Sequence, residues 1–149
     1  MTSPAIRPAT LEDAAAIADL SNQLGYPTAT AQAIARMRTL LTADDHAVLV
    51  ASLPDGTVAG WIHVFLAHRV ESATFVELGG LVVAAKHRRQ GLGRALVAAA
   101  VSWTAAQGVA KLRVRTRRER TEAHAFYQGL GFTLNKKQDI FDKSLELPG

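Results

Sequence analysis

No cysteine is present among the 149 residues. That absence excludes a disulfide framework, a thiolate zinc site and a cysteine nucleophile. A GxSxG elbow is missing too, which removes a common serine route to a covalent acyl-enzyme. No apolar run approaches the roughly 20 residues of a membrane span. The first seven residues, MTSPAIR, hold no charged stretch followed by an apolar run. No signal peptide is read there, and the cytoplasm is the expected location. No linker, low-complexity tract or repeat divides the chain, so it reads as a single domain over residues 1–149.

What is present has the balance of a water-exposed globular fold, 48% hydrophobic and 20% charged. The net charge of +4 and the pI of 9.9 invite a nucleic-acid reading. The excess, however, gathers in two clusters. One is Lys86, Arg88, Arg89 and Arg94; the other is Lys111, Arg113, Arg115, Arg117, Arg118 and Arg120. Such clusters suit a polyphosphate at least as well as a duplex, and no groove-reading motif or aromatic interleaving favours nucleic acid.

The hydrophobic periodicity predicts a mixed α/β (α+β) order of elements, βααβββαβαβ. Residues 5–7 read as a short strand. Thr10 followed by Asp13 resembles a capping box, opening a helix with Ile17, Leu20 and Leu24 on its inner face and Gly25 at its end. A second helix is expected over 31–41. Two apolar runs, 47–51 and 58–66, flank Pro54-Asp55-Gly56-Thr57 as a hairpin. Residues 75–83 form another strand, whose Gly79-Gly80 pair signals a bulge or a close backbone approach. A helix runs from about Gly91 to Gln107. Lys111 to Thr116 alternates as a strand, a short helix spans 121–130, and 132–147 returns as two strand segments.

Chemistry is densest where strand 75–83 passes through Ala84-Ala85-Lys86-His87 into Arg88-Arg89-Gln90-Gly91-Leu92-Gly93-Arg94. A helix start offers unpaired amides and a partial positive charge, which attract phosphate. Gly91 and Gly93 let backbone approach a bulky diphosphate, and the arginines add charge-assisted contacts. The third glycine of a dinucleotide fingerprint is replaced by Leu96, and GxxxxGK[ST] is absent. These features alone indicate a polyphosphate site, or a basic helix start with glycines for turning.

Arg88-x-x-Gly91-x-Gly93, preceded by Leu81-x-Val83, resembles the [RQ]-x-x-G-x-[GA] motif of the GCN5-related N-acetyltransferase (GNAT) family. A second block, with Ala123, Phe126, Tyr127, Gly131 and Phe132, is similar to that family's A-x-x-F-Y-x-x-x-G-F. The opening Ile6-Arg7-Pro8-Ala9-Thr10 with Asp13 is also similar, so the resemblance covers nearly the whole chain. It implies a central, mixed, splayed β-sheet flanked by helices, and acetyl-CoA as co-substrate with no metal. Amides around Arg88, Arg89, Gln90, Gly91, Leu92, Gly93 and Arg94 would hold the pyrophosphate. Backbone groups along Leu81, Val82 and Val83 would pair with the pantetheine arm at a distorted sheet edge. Tyr127 matches the general acid that protonates the coenzyme A sulfur; on residue chemistry alone, Phe126 and Tyr127 could equally be core aromatics. Glu77 stands six residues before Val83, where some members carry a general-base glutamate. Its other reading is an edge-strand carboxylate paired with an arginine. Two positions depart from the pattern: Arg120 replaces an asparagine, and Ala85 replaces a proline before the loop.

The implied reaction is direct attack by a primary amine on acetyl-CoA in a ternary complex. A small amine, an aminoglycoside-like sugar amine, an amino acid and a protein amino group all stay open as acceptors, and a homodimer is compatible. The alternative is a coenzyme A-binding sensor without turnover. His63, His68, His87 and His124 show no metal-ligand spacing. His63 and Tyr26 could face the acceptor; Trp61 and Trp103 read as core.

Overall fold

The computed structural model describes residues 4–148 of the protein. They form two compact units, one ending at Arg115 and the other beginning at Thr116. The first carries a five-stranded sheet in the order β1 (Ala5–Pro8), β2 (His46–Ser52), β3 (Val58–Ala67), β4 (Phe75–Val83), β5 (Leu112–Val114). Neighbours are antiparallel except β4 and β5, which are parallel and therefore need a crossover. That crossover contains helix α3 (Leu92–Ala106), while α1 (Ala14–Gln23) and α2 (Thr30–Thr42) lie between β1 and β2. The mixed α+β class follows as the sequence predicts.

Side-chain alternation sorts the two faces of the sheet. Val48, Val50 and Trp61 pack with Ile17, Ala33 and Met37 of α1 and α2. Ile62 and Val64 point the other way and are fully buried. On that side Leu96 of α3 lies so close that a Cβ on Gly60 would sit 3.1 Å from its Cδ1. α3 buries Leu92, Leu96, Val97, Ala100 and Thr104, a stripe at helical spacing. The α1 entrance is fixed by Asp13, whose carboxylate accepts the Thr10 backbone N–H at 2.8 Å and both guanidinium nitrogens of Arg7 at 2.8 Å. The Arg7 hydrogen bonds hold this nearly buried carboxyl below its usual range, against the opposing effect of burial.

The Gly79-Gly80 pair forms the bulge expected of it. His63 pairs with Gly80 and Val64 with Leu78, so Gly79 has no partner on β3. Each glycine also admits a side chain from β3. A Cβ on Gly79 would meet His63 Nδ1 at 2.8 Å, and one on Gly80 would meet the Trp61 ring at 2.8 Å.

The second unit holds α4 (Thr121–Gly129), ended by Gly131 at φ +94°. Two expectations need correction. The strand expected over 111–116 pairs only through Leu112–Val114. The two strand segments expected over 132–147 are not formed among the described residues. Alternation is confined to 132–134 and 145–147, with a polar run over 135–139 and the adjacent Ile140 and Phe141 between them. Leu134, Ile140, Phe141, Leu145 and Leu147 are all exposed.

Candidate functional site

The loop after β4 is shaped by backbone conformation. Ala85–His87 makes one tight turn, Arg88 is extended, and Arg89 takes a left-handed φ of 65°. Gly91 is left-handed as well, at φ 80°, and forms the N-cap of α3. A Cβ there would touch nothing within 4 Å, so the dihedral rather than crowding calls for glycine. The first intrahelical bond runs from Ala95 N–H to the Gly91 carbonyl, and no side chain caps the helix. The amides of Leu92, Gly93 and Arg94 thus precede the helical hydrogen-bond ladder and are free to receive an anion. Arg88, Arg89, Gln90 and Arg94 are exposed around them, whereas Leu92 is buried and anchors the turn. His87 lies beside the loop, with Nδ1 3.3 Å from Gln90 Oε1.

The bulge decides which backbone groups of β4 point away from β3. Below it, Val76 N–H donates to the Lys111 carbonyl on the β5 side. Above it, Ala84 N–H donates to the Ala59 carbonyl on the β3 side. Residues 76 and 84 are an even number apart, so one extra residue between them must reverse the alternation. Gly79 is that residue, and it turns the N–H and C=O groups of Leu81 and Val83 outward. β5 pairs with β4 only at Val76, Glu77 and Leu78. Residues 79–83 therefore present an edge with no strand neighbour on that side among the described residues. An extended amide-bearing arm fits such an edge, and a diphosphate fits the helix start a few residues on.

Glu77 lies opposite Phe65, and Gly80 lies opposite His63, so all share the sheet face covered by α1 and α2. Glu77 is paired: Arg115 Nε donates to its Oε1 at 3.1 Å. Arg113 is stacked over the Phe75 ring, 4.2 Å from the centroid. Two members of the strand arginine series, Arg113 and Arg115, are thus engaged on the sheet. Beside Glu77, the rings of His46, His63 and Phe65 stack with centroids 5.1 to 5.4 Å apart. Sequence reasoning considered His63 and missed His46. The hairpin register was the available signal, since it sets His46 opposite Phe65 and diagonal to His63.

Tyr127 sits on α4, flanked by Phe126 and Phe132 in edge-on contacts of 5.1 and 5.4 Å. Burial raises its phenol above the usual value, with the Arg120 charge opposing, so it is protonated at neutral pH. The His124 ring meets the Arg117 carbonyl at 2.9 Å. Tyr26 is exposed, and Trp61 packs against the α1 and α2 core as expected. A cleft of about 450 Å³ is lined by Glu12, Asp19, Gln23, Lys86 and His87 among others, and by none of the predicted site residues.

An uncapped helix start behind a strand with an unpaired, bulged edge can receive a diphosphate and an extended, amide-bearing arm. The Acetyltransferase (GNAT) family matches residues 13–132. The chain is 33% identical to an aminoglycoside N(6')-acetyltransferase type 1 of Stenotrophomonas maltophilia, covering 97% of this chain and 96% of that one. It is 30% identical to the enzyme of the same name from Klebsiella aerogenes, covering 97% and 99%. The structure of AAC(6')-Iy in complex with the bisubstrate analog CoA-S-monomethyl-acetylneamine shares the fold, with a TM-score of 0.86 at 24% identity over 97% of this chain and 100% of that one. The protein belongs to the GNAT acetyltransferase family. It is an N-acetyltransferase that takes acetyl-CoA as its acyl donor and an amine as acceptor.

Proposed function

We propose that the protein acetylates a primary amine on an aminoglycoside-type sugar, by direct attack within a ternary complex. The observation that carries the acceptor is the 33% identity, over nearly the full length of both chains, to an enzyme named for that substrate. The proposal treats residues 1–149 as one catalytic domain, supported by a family match that runs across both units. It also places the protein in the cytoplasm, where acetyl-CoA is available; none of the described helices is long and apolar enough to cross a membrane.

Acetyl-CoA supplies the acetyl thioester. The amides of Leu92, Gly93 and Arg94, with Arg88, Arg89 and Gln90 around them, bind the diphosphate, and Gly91 gives the loop its turn. Leu81 and Val83 offer outward N–H and C=O groups to the pantetheine amides, while buried Val82 holds the strand in register. Tyr127 donates a proton to the departing sulfur, a role consistent with its phenol being kept protonated. Glu77, its carboxylate steadied by Arg115, draws the amine in and holds it for deprotonation.

The test is release of coenzyme A thiol from acetyl-CoA in the presence of neamine, a lysine peptide or a simple alkylamine. The chain has no cysteine, so it adds no thiol background. Turnover with neamine well above that with the other amines is expected. Turnover with the peptide alone would overturn the acceptor assignment, and coenzyme A binding without turnover on any amine would favour the sensor alternative.

A further inference from the structure

Beyond Glu77, one cluster on the same sheet face has no assigned work. His46 Nδ1 and His63 Nε2 are 2.9 Å apart, and His46 Nε2 is 3.8 Å from Asp45 Oδ1. Two ring nitrogens at 2.9 Å share one hydrogen, so the two tautomers are linked. The Asp45 carboxylate favours the His46 proton on Nε2, which leaves His46 Nδ1 as an acceptor. His63 must then donate from Nε2, and its lone pair is left on Nδ1. That nitrogen faces Gly79, where a Cβ would lie 2.8 Å away. Gly79 is the bulged residue, two positions from Glu77 and two from Leu81, so the lone pair sits between the carboxylate and the edge that takes the pantetheine arm.

We propose that Asp45, His46 and His63 form a proton relay whose inner end, His63 Nδ1, receives the proton of the acceptor amine as the new amide forms. The amine nitrogen bonds to the acetyl carbon and becomes acidic, and its proton passes to His63 Nδ1. The proton on His63 Nε2 passes to His46 Nδ1, and that on His46 Nε2 leaves to water beside the Asp45 carboxylate. The C–S bond then breaks, and the sulfur takes its proton from the general acid. Burial, with His46 nearby, lowers His63 to about 4, so at neutral pH the ring is uncharged, offers a lone pair, and passes a proton on rather than keeping it. The other charged groups on this face include Glu77 with its partner Arg115, whose ion pair takes up part of the carboxylate's capacity to act as the base, Arg113 over the Phe75 ring, and Arg7 with its partner Asp13. This inference rests on the acetyl-transfer reading of the same site.

Two substitutions test it, His63→Phe and His46→Phe, which keep a stacked ring and remove its nitrogens. With acetyl-CoA and neamine, His63→Phe should lower kcat by about 100-fold and His46→Phe by on the order of 10-fold. The KM for acetyl-CoA should stay within about threefold in both, which a general loss of structure would not allow. A His63→Phe enzyme with kcat within about threefold of the parent would overturn the relay. Nitrogen NMR of the unsubstituted protein reads the same point without any variant. Unprotonated Nδ1 and protonated Nε2 on His63 at neutral pH are expected, and a protonated Nδ1 would overturn it. Failure of the parent chain to acetylate neamine would instead sink the acceptor assignment, with the tautomer measurement still deciding the relay.

Discussion

The donor end and the acceptor end of this site are built from different materials. At the proposed donor end, recognition lies in the backbone: the amides of Leu92, Gly93 and Arg94, the left-handed Gly91, and the outward groups of Leu81 and Val83. At the proposed acceptor end it lies in side chains drawn from four stretches of sequence: His46, His63 with Phe65, Glu77, and Arg115. A backbone site needs glycines at fixed spacing along one segment, and that spacing survives as a motif. A side-chain site needs only that strands bring residues into register, and it leaves no contiguous trace.

Substitutions at the two ends should fail in different ways. The largest effect is expected from Gly91→Glu, which forces a non-glycine residue into φ 80° and adds negative charge where the diphosphate binds. It should abolish the thermal stabilisation given by acetyl-CoA, which for the parent at 100 times Kd is about 2.7 kcal/mol. Tyr127→Phe should come next, lowering kcat by on the order of 100-fold while the KM for acetyl-CoA stays within about threefold. A rise in that KM with kcat unchanged would move Tyr127 from chemistry to binding. Gly79→Ala should displace the His63 ring and cost about 1–3 kcal/mol of stability. Its kcat/KM for the amine should fall by roughly tenfold through misplacement of the ring, with acetyl-CoA binding kept. Equal losses on both substrates would show that the two ends are not separable. Asp13→Asn should leave both ends intact and lower stability by about 1–3 kcal/mol through the lost Arg7 pair. Because the Asp13 carboxyl is held below its usual value in the folded protein, that contribution is present above about pH 4 and is lost on acidification below it. Urea midpoints measured across pH 3 to 7 check this, and the Asn variant should show the smaller acid loss.

The same distinction explains what could be read from the sequence. Helical stripes, the hairpin around Gly56, strand β4 and the bulge at Gly79 are all local patterns, and they were legible. The helix-start loop was legible as a candidate phosphate site, which the resemblance reads as the proposed acetyl-CoA site. Glu77 was visible as an out-of-place carboxylate, but its Arg115 partner lies 38 positions away and could not be chosen from six basic residues. His46 was overlooked because its meaning comes from a cross-strand diagonal. The strands expected over 132–147 failed because alternation there is confined to two three-residue stretches, too short to build a buried face.

The division of labour rests on acetyl-CoA binding to backbone at the start of α3. A thermal-shift titration of the parent chain and Gly91→Glu with acetyl-CoA, coenzyme A and NAD tests that directly. The account predicts stabilisation of the parent by both coenzyme A species, none by NAD, and none of the variant by any of the three. Equal stabilisation of parent and variant by acetyl-CoA, or none of the parent at saturating concentration, would contradict it.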